Sequence, residues 1–218
     1  LLDFNLVLPF LPFLLQGALI TIEISVLATA LGLVLGLIAA LARMSPIKPL
    51  VWVADFYVWS IRGTPVLVQL FIVYFGLPQI GIELGAMVAA VLALGSNTGA
   101  YVAEILRGGI LAVPTGQVEA AESLGMSSAK VMRRIILPQA FRLSIPALGN
   151  QAVSMLKESS LASLVTVSEL MMVSQRFAAT NYAYMEFYIV AAVIYLIMTT
   201  GMTWGLKKIE FRMSKSER

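Results

Sequence analysis

FYIVAAVIYLIMTTGMTWGL, residues 187–206, runs for 20 positions without a charge. At about 1.5 Å per residue, a helix of that length crosses a hydrocarbon core of about 30 Å. A helix on the surface of a soluble domain would show a polar face at helical spacing, and this run shows only scattered hydroxyls. Lys207 and Lys208 close it. The stretch reads as a membrane span, and four others follow the same pattern: Leu11–Leu41, Leu50–Leu77, Leu84–Leu106 and Leu143–Val165. The second is interrupted at Arg62-Gly63-Thr64-Pro65 and the fourth at Lys157-Glu158. Residues 10–42 hold one charge, Glu23. They are far longer than the apolar region of a signal peptide, about 7–15 residues, so they too read as a span. Composition agrees: 59% of residues are hydrophobic and 12% charged, against about 25% charged in a soluble domain.

The expected fold is therefore all-α and integral to the membrane, one domain over residues 1–218 with about five transmembrane helices. Basic residues orient it, because they collect on the cytoplasmic side. With Arg43 and Lys48 placed there, Arg107, Lys130, Arg133, Arg134 and Arg142 fall on the same side. So do Lys207, Lys208, Arg212, Lys215 and Arg218, which leaves only Arg176 opposite. The expected topology has the N-terminus outside and the C-terminus in the cytoplasm.

The chain has no Cys and no His, which excludes disulfides, thiolate and imidazole metal sites, and Cys–His or Ser–His catalysis. No G-x-x-x-x-G-K-[ST] loop is present to bind ATP. No catalytic residue, metal ligand, cofactor or nucleic-acid partner is expected.

The long polar connection 107–142 has helical composition. Pro114-Thr115-Gly116 signals a turn, and Gln117–Leu124 reads as a short helix with Val118, Ala121 and Leu124 on one face. Gly125 suits a chain reversal at positive φ. Ser127 or Ser128 can cap a second helix, and Pro138 marks its expected end. The result is a cytoplasmic helix–turn–helix at about 110–138, with Ala120 and Ala121 as a small-residue surface on which another backbone can rest.

Glu119-Ala120-Ala121, then Gly125, then Ile135-Ile136-Leu137-Pro138 resembles the EAA motif of ABC-importer permeases. Arg62–Gln69, Ala100–Glu104, Arg107-Gly108-Gly109, Gly149-Asn150-Gln151 and Lys157–Leu161 resemble the polar amino-acid branch of that family, and the likeness covers nearly the whole chain. The resemblance implies a permease subunit in a bacterial inner membrane that works by alternating access. Its implied partners are two ATPase subunits carrying ATP and magnesium, a second copy or a homologous permease, and an extracytoplasmic solute-binding protein. It also implies that Glu119, Ala120, Ala121, Ser123, Leu124, Gly125, Met126 and Ser127 contact the ATPase.

Polar groups at membrane depth are the substrate candidates, because an intramembrane charge must face protein or water. Gly63 and Pro65 break the second span, as transporters do at binding sites, and Arg62, Thr64 and Gln69 flank the break. Arg62 could instead pair with Asp55 or Glu23. On the third span Asn97, Tyr101, Glu104 and Gly108 form a polar stripe. Asn97, Thr98 and Tyr101 are taken as substrate candidates, and Glu104 with Arg107 as an intrahelical ion pair. On the fourth, Asn150, Ser154, Lys157 and Glu158 share an arc, followed by Ser159 and Ser160. Glu158 could receive an ammonium or guanidinium, and Lys157 or Arg62 a carboxylate. An acidic group there tilts the expected substrate to arginine, lysine or histidine, with glutamine and glutamate remaining open. An ion channel is the rival reading; it accounts for the intramembrane charges and not for the helix–turn–helix.

Overall fold

The computed structural model describes residues 2–214. Lys215 and Arg218, counted above among the basic C-terminal residues, lie outside that range. Every major element is helical. Two short 3₁₀ turns lead into α1 (Leu11–Arg43), followed by α2 (Lys48–Arg62) and α3 (Val66–Phe71). The chain then passes through a π turn at Ile72–Gly76 and a 3₁₀ turn at Leu77–Ile80 into α4 (Ala86–Leu111). The helix–turn–helix is α5 (Thr115–Ser123) and α6 (Ser128–Val131), and a π turn at Met132–Ile136 joins α6 to α7 (Leu137–Glu158). A 3₁₀ segment, Ser159–Val165, leads to α8 (Leu170–Asn181), and α9 (Tyr184–Ser214) completes the bundle.

Among the described residues, three helical stretches are long and apolar enough to cross a membrane: Phe4–Arg43, Ala86–Leu111 and Tyr184–Lys208. The expected second span is a pair of helices, α2 and the stretch from Val66 to Ile80, bent by 105° at the break. The expected fourth span is helical but does not reach the same apolarity, since α7 carries Gln139, Arg142, Asn150, Gln151, Lys157 and Glu158. A helix this polar is accommodated inside a bundle, where neighbours rather than lipid meet its polar side.

The core is the α1–α4 contact, and glycines set its closeness. A Cβ at Gly32 would lie 2.5 Å from Thr98 Cγ2, and one at Gly36 would lie 2.5 Å from Val102 Cβ. Facing them, a Cβ at Gly95 would lie 2.7 Å from Leu31 Cδ2, and one at Gly99 would lie 2.6 Å from the Tyr57 hydroxyl. Two G-x-x-x-G runs thus face one another, the small-residue spacing that lets helix backbones touch in lipid, where apolar burial alone does not drive association.

A second core joins α1, α8 and α9. Here Glu169 is fully buried just ahead of α8. Its Oε1 accepts the Met172 N–H at 2.8 Å, capping α8, and its Oε2 accepts the Tyr195 hydroxyl of α9 at 2.8 Å. Thr21 Oγ1 of α1 stands 3.2 Å from the same Oε2. Gly17 makes room for this join, since a Cβ there would meet the Leu170 Cα at 3.0 Å.

Candidate functional site

Three polar regions are candidates: the break between α2 and α3, the end of α7, and the exposed helix–turn–helix.

At the first break Gly63 and Pro65 end the helix, and the orphaned carbonyls of α2 must find donors. The Gly63 N–H reaches the Trp59 carbonyl at 2.9 Å. Thr64 Oγ1 donates to the Ser60 carbonyl at 2.9 Å. The Gln69 amide nitrogen lies 2.7 Å from the Ile61 carbonyl, 3.1 Å from the Thr64 carbonyl and 2.9 Å from Thr64 Oγ1. Its oxygen accepts from Asn97 Nδ2 of α4 at 3.0 Å. Gln69 and Asn97 are thus engaged with the break and with each other. Thr98 is fully buried against Gly32, and its Oγ1 has no hydrogen-bond partner.

Beside the break lies a cavity of about 640 Å³ lined by charge. Arg43, at the end of α1, donates from Nε to Asp55 at 2.6 Å and from Nη1 to Glu104. Arg107 Nη2 pairs with the other Glu104 oxygen at 3.0 Å, the expected intrahelical pair. Arg62 does not take Asp55 or Glu23, the partners weighed for it above. Asp55 is held by Arg43, Glu23 is exposed, and Arg62 turns to Glu104 at 3.8 Å with its guanidinium 5.4 Å from the Tyr101 ring centroid. In the sequence Arg43 serves only as a marker of the cytoplasmic side. Its signal was positional: the last residue of a long apolar helix, near an acid that the following helix brings back.

α7 stays α-helical through Lys157-Glu158, where the break is expected, and tightens into the 3₁₀ segment only at Ser159. Glu158 is half-buried and its Oε2 has no hydrogen-bond partner. The hydroxyls of Ser159 and Ser160 donate to the carbonyls of Leu156 and Lys157 at 2.8 and 2.7 Å; Ser159 is fully buried and Ser160 half-buried. Ser154 is partly buried one turn before. Lys157 faces α9, where it lines a separate cavity with Thr203 and Lys207. Arg62 and Lys157 therefore line different cavities of the chain, so the two cations expected opposite Glu158 do not converge.

The helix–turn–helix closes in a definite geometry. Gly125 adopts φ +78°. Its N–H bonds the Glu122 carbonyl at 2.9 Å and the Met126 N–H bonds the Ala121 carbonyl at 3.1 Å, the Schellman pattern of a helix C-terminus. Nothing crowds a Cβ at Gly125, so the conformation alone selects glycine there. Three expectations change. Ala121 is buried, leaving Ala120 exposed, and Leu124 leaves the inner face to stand 84% exposed at the turn. The knob is thus Ala120 and Leu124, with Glu119, Ser123 and Ser127 exposed around it and Met126 partly buried. Pro138 does not end the second helix. The π turn before it widens the helix where the proline ring would meet a carbonyl, and α6 runs on into α7. Gln139 Nε2 of α7 donates to Gln117 Oε1 of α5 at 2.6 Å, fastening the knob to that rod.

Residues 32–215 match the family described as binding-protein-dependent transport system inner membrane component. The arginine transport system permease protein ArtQ of Bacillus subtilis (strain 168) is 40% identical over 217 residues, covering 99% of each chain. The L-cystine transport system permease protein TcyB of the same organism is 44% identical over 207 residues, 94% of this chain and 88% of that protein. The glutamine transport system permease protein GlnP of Escherichia coli (strain K12) is 39% identical over 213 residues, 97% of each. Among solved structures, a chain of an amino acid ABC transporter with histidines superposes with a TM-score of 0.94 at 43% identity, covering 97% of this chain and 99% of that one. A chain of the inward-facing MetNI methionine ABC transporter superposes at 0.77 with 19% identity, over 94% of this chain and 97% of its own; that likeness bears on the fold alone.

Proposed function

This chain belongs to the family of binding-protein-dependent transport system inner membrane components, and it is the permease subunit of an amino-acid importer of the ATP-binding-cassette type. On that premise we propose that it carries polar and basic amino acids across the inner membrane, basic ones preferentially, by alternating access driven from the Ala120–Leu124 knob. The proposed assembly pairs it with a second permease, two ATPase subunits and a solute-binding protein outside. In the proposed orientation the N-terminus lies outside and the C-terminus in the cytoplasm.

The observation that carries the mechanism is the unbroken helical path from knob to site. A displacement of α5 passes through Gln117 and Gln139 to residues 128–158, which stay helical throughout. At about 1.5 Å per residue that rod spans roughly 45 Å. Glu158 sits at its far end, so a push on the knob moves the acid without having to straighten a loop first.

The preference for basic cargo rests on Glu158. A half-buried carboxylate with an unpartnered oxygen is costly unless a cation meets it, and the guanidinium of arginine or the ammonium of lysine is such a cation. The half-buried Ser160, two residues on, offers a polar group to the cargo's other end. Among the relatives, one is named for arginine and others for cystine and glutamine, so the scaffold admits several side chains; the Lys157–Leu161 stretch resembles the branch as a whole, and Glu158 tilts the choice towards a basic cargo without fixing it. The test is ATP-dependent uptake by the reconstituted assembly of labelled arginine, lysine, histidine, glutamine and cystine. Arginine or lysine taken up with the highest kcat/KM supports the reading. Preference for glutamine or cystine removes Glu158 as the selector, and no ATP-dependent uptake of any of them removes the amino-acid assignment.

A further inference from the structure

The cavity between α7 and α9 has no part in the transport cycle above. It holds about 440 Å³ and is lined by Lys157 from α7 and by Thr199, Thr200, Thr203, Trp204 and Lys207 from α9. No acid lines it, and neither lysine forms an ion pair among the described residues. Glu158, the next residue along from Lys157, interacts electrostatically with it but is half-buried and does not line this cavity, and Lys207 has no acid against it there. Two ammonium groups on the lining of one volume repel each other, and a shared anion would offset that repulsion.

Depth and exposure identify the anion's class. The apolar stretch of α9 ends at Lys208, so Lys207 stands where hydrocarbon gives way to headgroups. Lys208 Nζ lies 3.3 Å from the Trp204 ring centroid, an indole and a cation at the level where both are favoured. Only 11% of the α9 span is buried within the protein, and no residue of α1 or α4 lines the cavity. Thr199 and Thr203 spend their hydroxyl protons on backbone carbonyls of α9, whereas Thr200 makes no such bond among the described residues. Lys157, Lys207, Thr200 and Trp204 thus bring four donor-bearing side chains to the lining of one volume, a set that suits a phosphodiester.

We propose that this cavity seats the phosphate of an anionic phospholipid, clamped between Lys157 and Lys207. The lipid joins α7 to α9 beside the site, and Lys157 serves it instead of the cargo's carboxylate. The proposal depends on the membrane setting alone and stands apart from the choice of transported amino acid.

The assembled transporter, placed in bilayer discs of phosphatidylcholine with a minor fraction of phosphatidylglycerol, is released and its retained lipids are counted by native mass spectrometry. The native protein is expected to retain phosphatidylglycerol above its share of the disc. Lys157→Gln and Lys207→Gln are each expected to cut that enrichment about fivefold, the effect of one basic residue on an anionic lipid. Lys48→Gln, an exposed lysine remote in sequence from the cavity, should leave it unchanged. Thr200→Val should weaken it less, and it serves as the second reading should a lysine variant fail to assemble. Retention of phosphatidylglycerol by the native protein only in proportion to its share of the disc overturns the proposal. So does displacement of the lipid by millimolar inorganic phosphate, which would make the site one for free phosphate. A Lys157→Gln variant that keeps its lipid but raises KM for the amino acid also overturns it and returns Lys157 to the cargo.

Discussion

The chain is broken twice at polar positions, between α2 and α3 and at the end of α7, and the two breaks are finished differently. At the first, the Gln69 amide, Thr64 and the Gly63 N–H satisfy the loose carbonyls of α2, and Asn97 bonds Gln69 from α4. At the second, the hydroxyls of Ser159, Ser160 and Ser163 hold the backbone tight, while Glu158 keeps an oxygen without a partner. Hydrogen bonding is close to complete in settled protein interiors. The sealed break reads as a fixed corner, and the open one as the place where an incoming group completes the set.

The largest expected effect comes from unsealing the first break. Gln69→Leu removes the donor to the Ile61 and Thr64 carbonyls and the acceptor of Asn97. Each buried group left without a partner costs about 1–3 kcal/mol. The variant should therefore unfold in detergent at a clearly lower temperature than the native protein and assemble poorly with its partners. Unchanged thermal stability would mean that water can replace the amide, and the corner would not be sealed as described.

At the second break the order of effects should reverse. Glu158→Gln keeps the shape and removes the charge. Thermal stability is expected to hold or rise, because no bond to the carboxylate oxygen is lost and a partly buried charge is removed. Uptake of arginine should fall about tenfold or more in kcat/KM, the loss of one charge-assisted contact. A drop in stability matching that of Gln69→Leu, with kcat/KM intact, would erase the distinction between the breaks.

Much of this was legible beforehand and some was not, for physical reasons. Membrane spans declare themselves because lipid tolerates few charges, so Phe187–Leu206 could be read alone. The turn at Gly125 was legible because a positive φ selects glycine, and the 63–65 break because proline lacks an N–H. What stayed hidden depends on which neighbour a side chain meets. Gln69 and Asn97 looked like substrate ligands since their bonding to each other crosses 28 positions. Arg43, Asp55 and Glu104 converge from three helices. Glu169 falls between the fourth and fifth expected spans, and the burial that makes it a clamp comes from α1 and α9. The facing G-x-x-x-G runs at 32–36 and 95–99 were present in the sequence; only their pairing needed the fold. Leu124 was assigned to the inner face by helical spacing, which stops applying where the helix ends at Ser123.

The smallest expected effect on the fold separates the corner from the knob. Thr64→Val removes one hydroxyl, with its bond to the Ser60 carbonyl and its acceptance from Gln69. Thr64 is exposed, so water can take over part of what is lost, and the cost should stay near 1 kcal/mol or below. Leu124→Ser should cost less still, since a side chain 84% exposed gives up almost no burial. Transport ranks the two the other way round. Thr64→Val leaves the path from knob to Glu158 untouched, whereas Leu124→Ser strips the apolar tip through which the ATPase is proposed to push. The amount of ATPase subunit recovered with the permease, measured beside uptake per ATP hydrolysed, reads this directly. Loss of ATPase binding in Leu124→Ser at native thermal stability places the contact at the tip of the turn. Full binding and coupling in that variant would move the contact to the Glu119–Ala120 side of α5, and the Schellman turn would then serve to aim that face.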